Sequence, residues 1–398
     1  MMKRSNRTEN ILAIITLVTL VIAAVIGFNR SLSDITDHFQ ALLPGMDRYE
    51  KTGFETYAAF KQGSDRPAGY ISVKKSDGFG GPLKVAVSVD PDGTVVNAVV
   101  VEHRETPSWF EKVMKSPLLR SMKGKSYKDP FEIDGDVDGI TGATYTTRAV
   151  IQSIKEASRE TALNELNLPK LDQKPAEFQL GYPELVLVLL LMTGVFGIKY
   201  TSGKTKKRLR WLLMLSGLVV IGFILNHPLT LVDINKFLMG YWPDLHYQLY
   251  WYLLIFGVLL IFLTTNNNIY CYTVCPFGAA QECMAAFGKA KNFHSKKYHD
   301  VFKWLRRGIL WMAVLIALIF RNPGISSFEV YSTLFSLSGT NREVLFLSIV
   351  LLFSLVVKRP WCKYLCPVPA FEDYLRWIKS RVKRAYKKTV HKSGMKPV

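Results

Sequence analysis

Acidic residues are scarce in most of this 398-residue sequence. Outside residues 29–177 the chain has 10 Asp and Glu against 31 Lys and Arg, a net charge of +21. Within residues 29–177 the balance is 22 against 20, a net charge of −2. A basic excess of this size is typical of proteins that bind nucleic acid or an anionic membrane surface. The sequence therefore combines one nearly neutral segment with a basic remainder, and the positions of the charges decide between the two partners.

The basic residues stand in short clusters directly beside long apolar runs. This arrangement is typical of multi-span membrane proteins, whose cytoplasmic loops are enriched in Lys and Arg. No segment resembles a DNA-binding or kinase module. We therefore expect the partner to be a membrane, and we expect no nucleic-acid partner.

The first apolar run, Ile11 to Phe28, follows three basic residues and has the length of a membrane-spanning helix, ~18 residues or more. A cleaved signal peptide is the alternative, with Ala23 and Ala24 as a weak cleavage context. Because the run is long and no small-x-small site follows it cleanly, residues 1–28 are predicted to be an uncleaved anchor.

Five further apolar runs predict a total of six spans. They centre on Leu185–Ile198, Trp211–Leu225, Leu249–Leu263, Gly308–Phe320 and Val344–Val357. The loops after the second and fourth spans and the tail after the sixth are rich in Lys and Arg, whereas loops 226–247 and 322–343 are nearly uncharged. This bias predicts a multi-pass protein of the cell (inner) membrane with both termini in the cytoplasm. Residues 29–182 then lie outside the cytoplasm, and residues 183–398 form a five-span membrane domain with a basic cytoplasmic tail.

The segment outside the membrane is predicted to be an α+β domain. Leu83–Val89 and Thr94–Val101 have strand patterns and are joined by Asp-Pro-Asp-Gly, which is a hairpin signal. Trp109–Met122 and Thr147–Leu163 have helical patterns. The predicted fold class is thus a six-span α-helical membrane bundle with an extracytoplasmic α+β domain.

A Thr- and Gly-rich turn precedes the second of these helices, in the sequence Asp138-Gly-Ile-Thr-Gly-Ala-Thr144. Gly139 and Gly142 allow a ligand to approach the backbone closely. A helix N-terminus with exposed amide and hydroxyl donors is suited to bind a phosphate. An ordinary capped turn has the same composition, so spacing alone leaves both interpretations open.

The same turn resembles the D-x-x-[ST]-G-A-T signature of the FMN-binding domains of Na⁺-pumping quinone reductase and Rnf complexes. Residues 78–82 (Gly-Phe-Gly-Gly-Pro) and 103–107 (His-Arg-Glu-Thr-Pro) are similar to two further elements of that family, in the same order. The resemblance implies FMN attached by a flavin transferase, through its phosphate, to Thr144. It also implies cofactor contacts for a set of nearby residues: Asp138, Thr141, Gly142, Ala143, Glu105 and Thr106.

Four of the five cysteines form two C-x-x-x-C-P motifs that lie 91 residues apart: Cys271, Cys275, Cys362 and Cys366. Each motif follows a helical hairpin, so the sequence predicts a pseudo-symmetric repeat. Two cysteines four positions apart share one face of a helix. Four converging thiolates suit an iron–sulfur cluster or zinc, and a flavin in the same chain favours the cluster. Cys283 is interpreted as a small buried residue, and a reducing cytoplasmic location disfavours disulfides.

The whole order of elements resembles the NosR/NirI-type membrane flavoproteins, and most closely the PceC-like C component of reductive-dehalogenase operons. The resemblance implies an electron-transfer component that links the menaquinone/quinol pool to an extracytoplasmic reductase, such as a reductive dehalogenase. A membrane-bound redox sensor or a maturation factor is the alternative, and an FMN enzyme acting alone on a small acceptor is a third. His227 and His246, near the predicted outer ends of spans, are either quinone or haem contacts or interfacial residues.

Overall fold

The computed structural model describes residues 2–30, 35–105, 107–133, 135–140, 144–171, 180–292, 299–325, 330–337 and 339–392. The chain forms two units, each held together by its own internal contacts. The first comprises residues 1–178, 232–247 and 315–327, and the second comprises residues 179–231, 248–314 and 328–398. The first unit therefore joins the nearly neutral segment to two later stretches of the chain.

The helices and strands follow the chain in this order. The helices are α1 (Met2–Arg30), α2 (Phe39–Leu42), α3 (Pro107–Lys115), α4 (Leu118–Ser121), α5 (Thr144–Asn164), α6 (Tyr182–Tyr200), α7 (Gly203–Ser216), α8 (Leu231–Met239), α9 (Leu249–Thr265), α10 (Pro276–Phe287), α11 (His299–Phe320), α12 (Tyr331–Ser336), α13 (Asn341–Ser354), α14 (Pro360–Tyr364) and α15 (Val368–Lys392). The strands are β1 (Arg48–Gly53), β2 (Thr56–Phe60), β3 (Gly69–Asp77), β4 (Pro82–Val89) and β5 (Val95–His103).

The first unit contains one antiparallel sheet in the order β1-β2-β3-β4-β5. Alternation along β4 places Leu83, Val85 and Val87 in a core with the apolar side of α5, while Ala86 joins a second core with Phe39. The sheet thus has α5 on one side and the short helix α2 on the other. The α+β architecture predicted for this segment is confirmed.

The predicted hairpin is the connection between β4 and β5. Asp90 Oδ1 accepts hydrogen bonds from the amides of Asp92 (3.0 Å) and Thr94 (2.8 Å), and Gly93 has a φ of +80°. The predicted helix 147–163 is α5, which begins three residues earlier. The predicted helix 109–122 is two short helices, α3 and α4, because Pro117 lacks the amide that would continue the hydrogen-bond ladder.

The second unit is helical, and the apolar runs predicted to span the membrane lie mostly on helical structure. Among the described residues, two helical stretches are long and apolar enough to cross a membrane by length and composition, Ile11–Asn29 and Tyr182–Tyr200. The apolar helix α9 is shorter, with 17 residues. The helix α7 continues into a π-helical segment, Gly217–Ile224. With 14 residues, α13 is about 21 Å long, less than the ~30 Å of a hydrocarbon core. The six predicted spans therefore stay a prediction.

Candidate functional site

A glycine-rich turn connects β3 to β4 in the first unit, and the carboxyl group of Glu105 lies against it. The Gly78 amide donates to the Gly81 carbonyl at 3.0 Å, which closes the turn. The Gly80 amide donates to Glu105 Oε2 at 2.9 Å. A Cβ atom on Gly78 would lie 1.7 Å from Glu105 Oε1. Position 78 must therefore be glycine for the carboxyl group to occupy this place.

The Glu105 side chain is almost completely removed from solvent, with 1% of its surface exposed. Burial raises its pKa from the usual 4.5 to about 7, against the opposing effects of the Gly80 hydrogen bond and the charge of Lys236. Glu105 is therefore a carboxyl group that exchanges its proton near neutral pH.

The beginning of α5 meets the same turn. Thr144 is the first residue of this 21-residue helix, and it is exposed. The ring of Tyr145 lies 6.3 Å from the ring of Phe79, centroid to centroid. Thr146 is buried, and its hydroxyl group lowers the pKa of Glu105. The three short motifs found in the sequence thus converge at a helix N-terminus, whose free amides favour an anion such as a phosphate.

The loop before α5 is fixed by Asp136. Its carboxylate pairs with Lys125 at 2.8 Å and accepts a hydrogen bond from the Glu132 amide at 2.6 Å. Asp138 is described and exposed. Four other residues that the sequence predicts to contact the cofactor lie outside the described residues: Thr106, Thr141, Gly142 and Ala143.

Lys236 belongs to this site and is missed by the sequence motifs. It lies on α8, is 1% exposed, and donates to the carbonyls of Gly78 (3.2 Å) and Phe79 (3.0 Å). The sequence does distinguish Lys236, because it is an isolated basic residue in a loop that is otherwise apolar and nearly uncharged. Only the folded chain shows that this loop returns to a turn more than 150 positions earlier.

A second late segment contacts the same region through Arg104. Its Nη1 atom donates to the carbonyls of Phe320 (2.7 Å) and Arg321 (2.5 Å), at the end of α11 and just beyond it. The Arg104 amide also donates to the Pro82 carbonyl at 3.0 Å. Both edges of the Gly78–Gly81 turn are thus connected to parts of the chain that lie between predicted spans.

The cysteine motifs lie in the second unit, each at a break between helices. Cys271 is in a π-helical turn, Tyr270–Val274, and Cys275 immediately precedes α10 with an extended ψ of 118°. The second motif has Cys362 in α14 and Cys366 after the end of that helix. The prediction that both cysteines of a motif share one face of a regular helix is therefore wrong. The prolines that follow Cys275 and Cys366 explain this, because a residue before proline avoids the helical conformation.

Hydrogen bonds connect the second motif to α10 and α12. Gln281, on α10, accepts from the Trp361 amide at 3.0 Å and donates to Cys362 Sγ at 3.3 Å. Tyr331 OH lies 3.3 Å from Cys366 Sγ and accepts from Trp361 Nε1 at 2.9 Å. Side chains of the first motif's helix and of α12 thus fix the position of the second motif.

The four thiols also act on one another electrostatically. Burial raises the pKa of Cys362 to about 11, and the charge of Cys275 adds to this rise. A hydrogen bond to Cys275 raises the pKa of Cys271 well above its usual value, and the charge of Cys366 contributes as well. Charge on a thiol of one motif therefore affects a thiol of the other motif.

Four cysteine thiols are a donor set that binds an iron–sulfur cluster. None of these four cysteines is in a disulfide. Within the described ranges no three His, Cys, Asp or Glu side chains surround one point closely enough to bind one ion. In a [4Fe–4S] cluster each thiolate binds a different iron atom, so the four sulfurs need not meet at a point. Cys283 stands apart from this set, half-buried and beside Glu282.

A buried ion-pair network supports the cysteine region. Glu282, 3% exposed at its side chain, pairs with Arg359 Nε at 2.8 Å and with Arg210. Arg359 Nη1 also donates to the Cys271 carbonyl at 2.8 Å. The network connects α7, α10 and the start of α14, and it places guanidinium charge next to the thiols.

The two histidines differ in their surroundings. His227 is buried, and its carbonyl accepts from Tyr250 OH at 3.1 Å. The exposed His246 has Nδ1 2.9 Å from Asp244 Oδ1. A quinone or haem contact at either residue stays a prediction.

Comparison with known families agrees with this division of the chain. Residues 78–159 match the FMN-binding domain family, and residues 248–294 and 343–385 match a 4Fe-4S binding domain family. The first match covers the turn, Glu105 and most of α5, and the second covers both cysteine motifs. The resemblance inferred from the motifs is confirmed at this level, and FMN and an iron–sulfur cluster are the cofactors.

Curated relatives resemble part of the chain. The G subunit of the proton-translocating ferredoxin:NAD(+) oxidoreductase complex of Clostridium ljungdahlii is 28% identical over 163 residues, 38% of this chain and 87% of the relative. The G subunit of the ion-translocating oxidoreductase complex of Vibrio atlanticus is 38% identical over 97 residues, which are 22% of this chain and 46% of the relative. Its Escherichia coli counterpart is 33% identical over 123 residues, which are 28% of this chain and 58% of the relative. The chain thus spans only about half the length of the latter two.

A solved structure also matches part of the chain. The crystal structure of Shewanella oneidensis NqrC is 20% identical and covers 36% of this chain and 81% of that one, with a TM-score of 0.24. A score this low carries no structural argument. The family matches make this chain a flavoprotein with an iron–sulfur domain.

Proposed function

We propose that this chain is a multi-span membrane protein that passes electrons to an extracytoplasmic reductase through FMN bound covalently to Thr144. The electrons come from the quinol pool or from the iron–sulfur centre of the same chain. The observation that carries the proposal is the convergence of the Gly78–Gly81 turn, Glu105 and the exposed Thr144 at the start of α5.

The flavin end of the proposal assigns a task to each element. The Thr144 hydroxyl would hold FMN through its phosphate, and the amides at the start of α5 would stabilise the phosphate charge. The glycine turn allows the ring system to approach the backbone. Glu105 and Lys236 hold this turn from its amide and carbonyl sides. A flavin transferase, as in the family that the motifs resemble, is the partner that forms the bond.

The cysteine end holds the second redox centre. Cys271, Cys275, Cys362 and Cys366 are the proposed ligands of the cluster. Gln281 Nε2 donates to Cys362 Sγ, and donors to ligand sulfur raise the reduction potential of such a cluster. When bound, FMN and the cluster supply the one-electron chemistry, and the protein supplies position and electrostatics.

The proposed membrane topology has six spans with both termini in the cytoplasm. Residues 1–28 are the anchor, residues 29–182 the extracytoplasmic FMN domain, and residues 183–398 the five-span domain. The charge bias of the loops supports this orientation. The acceptor belongs to the class of extracytoplasmic reductases, of which a reductive dehalogenase is an example.

The attachment of FMN is tested with Thr144→Ala in protein co-produced with a flavin transferase. Wild-type chains should carry one FMN by intact mass and fluoresce in a denaturing gel, and Thr144→Ala chains should carry none. Thr52→Ala, which removes an exposed hydroxyl elsewhere in the same domain, should leave the label unchanged. A flavin mass retained in Thr144→Ala and lost in Thr146→Ala would contradict the assignment.

A further inference from the structure

Glu105 and Lys236 bind opposite ends of the Gly78–Gly81 turn, Glu105 at an amide and Lys236 at two carbonyls. Glu105 Oε2 accepts from the Gly80 amide at 2.9 Å, and Lys236 Nζ donates to the Gly78 and Phe79 carbonyls at 3.2 Å and 3.0 Å. Each side chain is 1% exposed. The carboxyl group thus lies at the positive end of the turn's peptide dipoles, and the ammonium group lies at the negative end.

The charged and polar groups that act on this pair come from α8, β3 and α5. Lys236 on α8 is the charge that acts on Glu105, and Asp233 on the same helix acts on Lys236. Asp77, at the end of β3, also acts on Lys236. From α5, the neutral Thr146 hydroxyl faces Glu105. Lys236 is therefore the group whose removal changes the electrostatic surroundings of Glu105 most.

We propose that Glu105 is a redox-linked proton acceptor, which binds one proton as an electron reaches the flavin domain, and that Lys236 is the positioning residue that sets the pH range of this uptake. The proposal rests on the proposed function, because it needs an electron to arrive beside the Gly78–Gly81 turn. Lys236 comes from a part of the chain outside the FMN-binding domain match, so this role is additional to that domain.

The proton uptake is balanced as follows. An electron, given up by a one-electron donor such as a reduced iron–sulfur centre, adds one negative charge next to the turn. A proton from the outside medium forms an O–H bond at the Glu105 carboxylate, so the net charge of the site does not change. In a buried, low-dielectric site an added negative charge is costly, and protonation of a neighbouring carboxylate removes that cost. Oxidation of the site releases the same proton.

The direct test is the pH dependence of the flavin reduction potential, measured by spectroelectrochemistry on the full chain in detergent. The wild-type potential should show an inflection near pH 7, in addition to the slope that the flavin itself produces. Glu105→Gln keeps the size and the acceptor oxygen but cannot ionise, so its profile should lose this inflection. An unchanged inflection in Glu105→Gln would overturn the proposal.

Lys236→Met separates the two residues. It removes a positive charge that favours the carboxylate, so the inflection should move upward by about one pH unit. The matched control is Lys75→Met, since Lys75 is an exposed lysine of the same domain. An inflection that stays in place in Lys236→Met, or moves equally in the control, would contradict the role of Lys236.

A measurement without flavin keeps this inference separate from the proposed function. In Thr144→Ala protein, the infrared band of a buried protonated carboxyl group should titrate near pH 7 and be absent from Thr144→Ala/Glu105→Gln. If the infrared band does not differ between these two variants, the inference is wrong even where covalent flavin is found. If the wild-type chain carries no flavin but the infrared band is present, the proposed function is wrong. The buried proton-binding site at Glu105 is then still supported.

Discussion

At the scale of single residues, the flavin region depends on a carboxyl group held where solvent cannot reach it. Glu105 occupies the place that the missing side chain of Gly78 leaves open. Its Oε2 atom accepts a hydrogen bond from the Gly80 amide, and the opposing charge that acts on it is that of Lys236. A buried carboxylate is expensive, so the protonation state of Glu105 contributes to the stability of the domain.

Glu105 gives this stability a pH dependence with a definite sign. Its folded pKa of about 7 lies above its usual 4.5, so the folded chain binds this proton more tightly than the unfolded chain. The contribution is complete below the usual pKa and is lost as pH rises through 7, roughly 3 kcal/mol in all. Thermal unfolding of the full chain in detergent should show this loss for wild type and not for Glu105→Gln. The exposed-residue control Glu132→Gln should follow wild type, and equal losses in all three would contradict the assignment.

At the scale of secondary structure elements, local signals predict some elements and fail for others. The β4–β5 hairpin and α5 are predicted because alternation, the Asp-Pro-Asp-Gly turn and a Thr-rich helix start are all encoded in adjacent residues. The edge strand β1 has no such signal, since its residues are mostly exposed and polar. The sequence motifs predict the residues that surround Thr144 in the fold. The position of Lys236 in the same site depends on long-range packing, which the motifs do not predict.

The π-helical segments are a second case that sequence periodicity does not predict. Gly217 begins one of them, and a Cβ atom there would lie 2.1 Å from the Val274 carbonyl oxygen, one residue before Cys275. Close backbone packing between these two segments therefore requires a glycine at this position. A helix continued by apolar pattern alone would not bring them so near to each other.

Gly217→Ala should therefore disturb the first cysteine motif and lower the content of iron and acid-labile sulfide to well under half. The physical reason is overpacking, which costs about 1–3 kcal/mol and displaces backbone. The matched control is Gly308→Ala, another helical glycine, because a Cβ atom there meets nothing within 4 Å. Iron and sulfide measured per chain after anaerobic purification decide the matter. Full content in Gly217→Ala would show that this contact does not position Cys275.

At the scale of the whole molecule, the chain alternates between its two units along the sequence. Residues 232–247 and 315–327 belong with the N-terminal segment, although the residues on either side of them belong to the helical unit. The order of motifs predicts a flavin domain and a cluster domain but not this interleaving. Contacts made by Lys236 and Arg104 account for it.

The relay hypothesis is tested by rapid mixing of proteoliposomes with a menaquinol analogue. Wild-type chains should reduce the FMN, and Cys275→Ala/Cys366→Ala chains that have lost their cluster should do so at least tenfold more slowly. Cys283→Ser, which changes the cysteine outside the proposed ligand set, should match wild type. Wild-type rates in the double variant would show that electrons bypass the cluster, and the relay through this centre would have to be abandoned.

The contact between Lys236 and the glycine turn also has a consequence for biosynthesis. Lys236 leaves the ribosome 92 residues after Thr144, from 236 − 144. At ~5–20 residues per second, the turn and the start of α5 exist for about 5 to 18 seconds before the lysine is made. During this interval Thr144 is accessible, and Lys236, the buried cation of the completed site, has not yet been synthesised. Translation order thus separates the formation of the turn from the arrival of its buried cation.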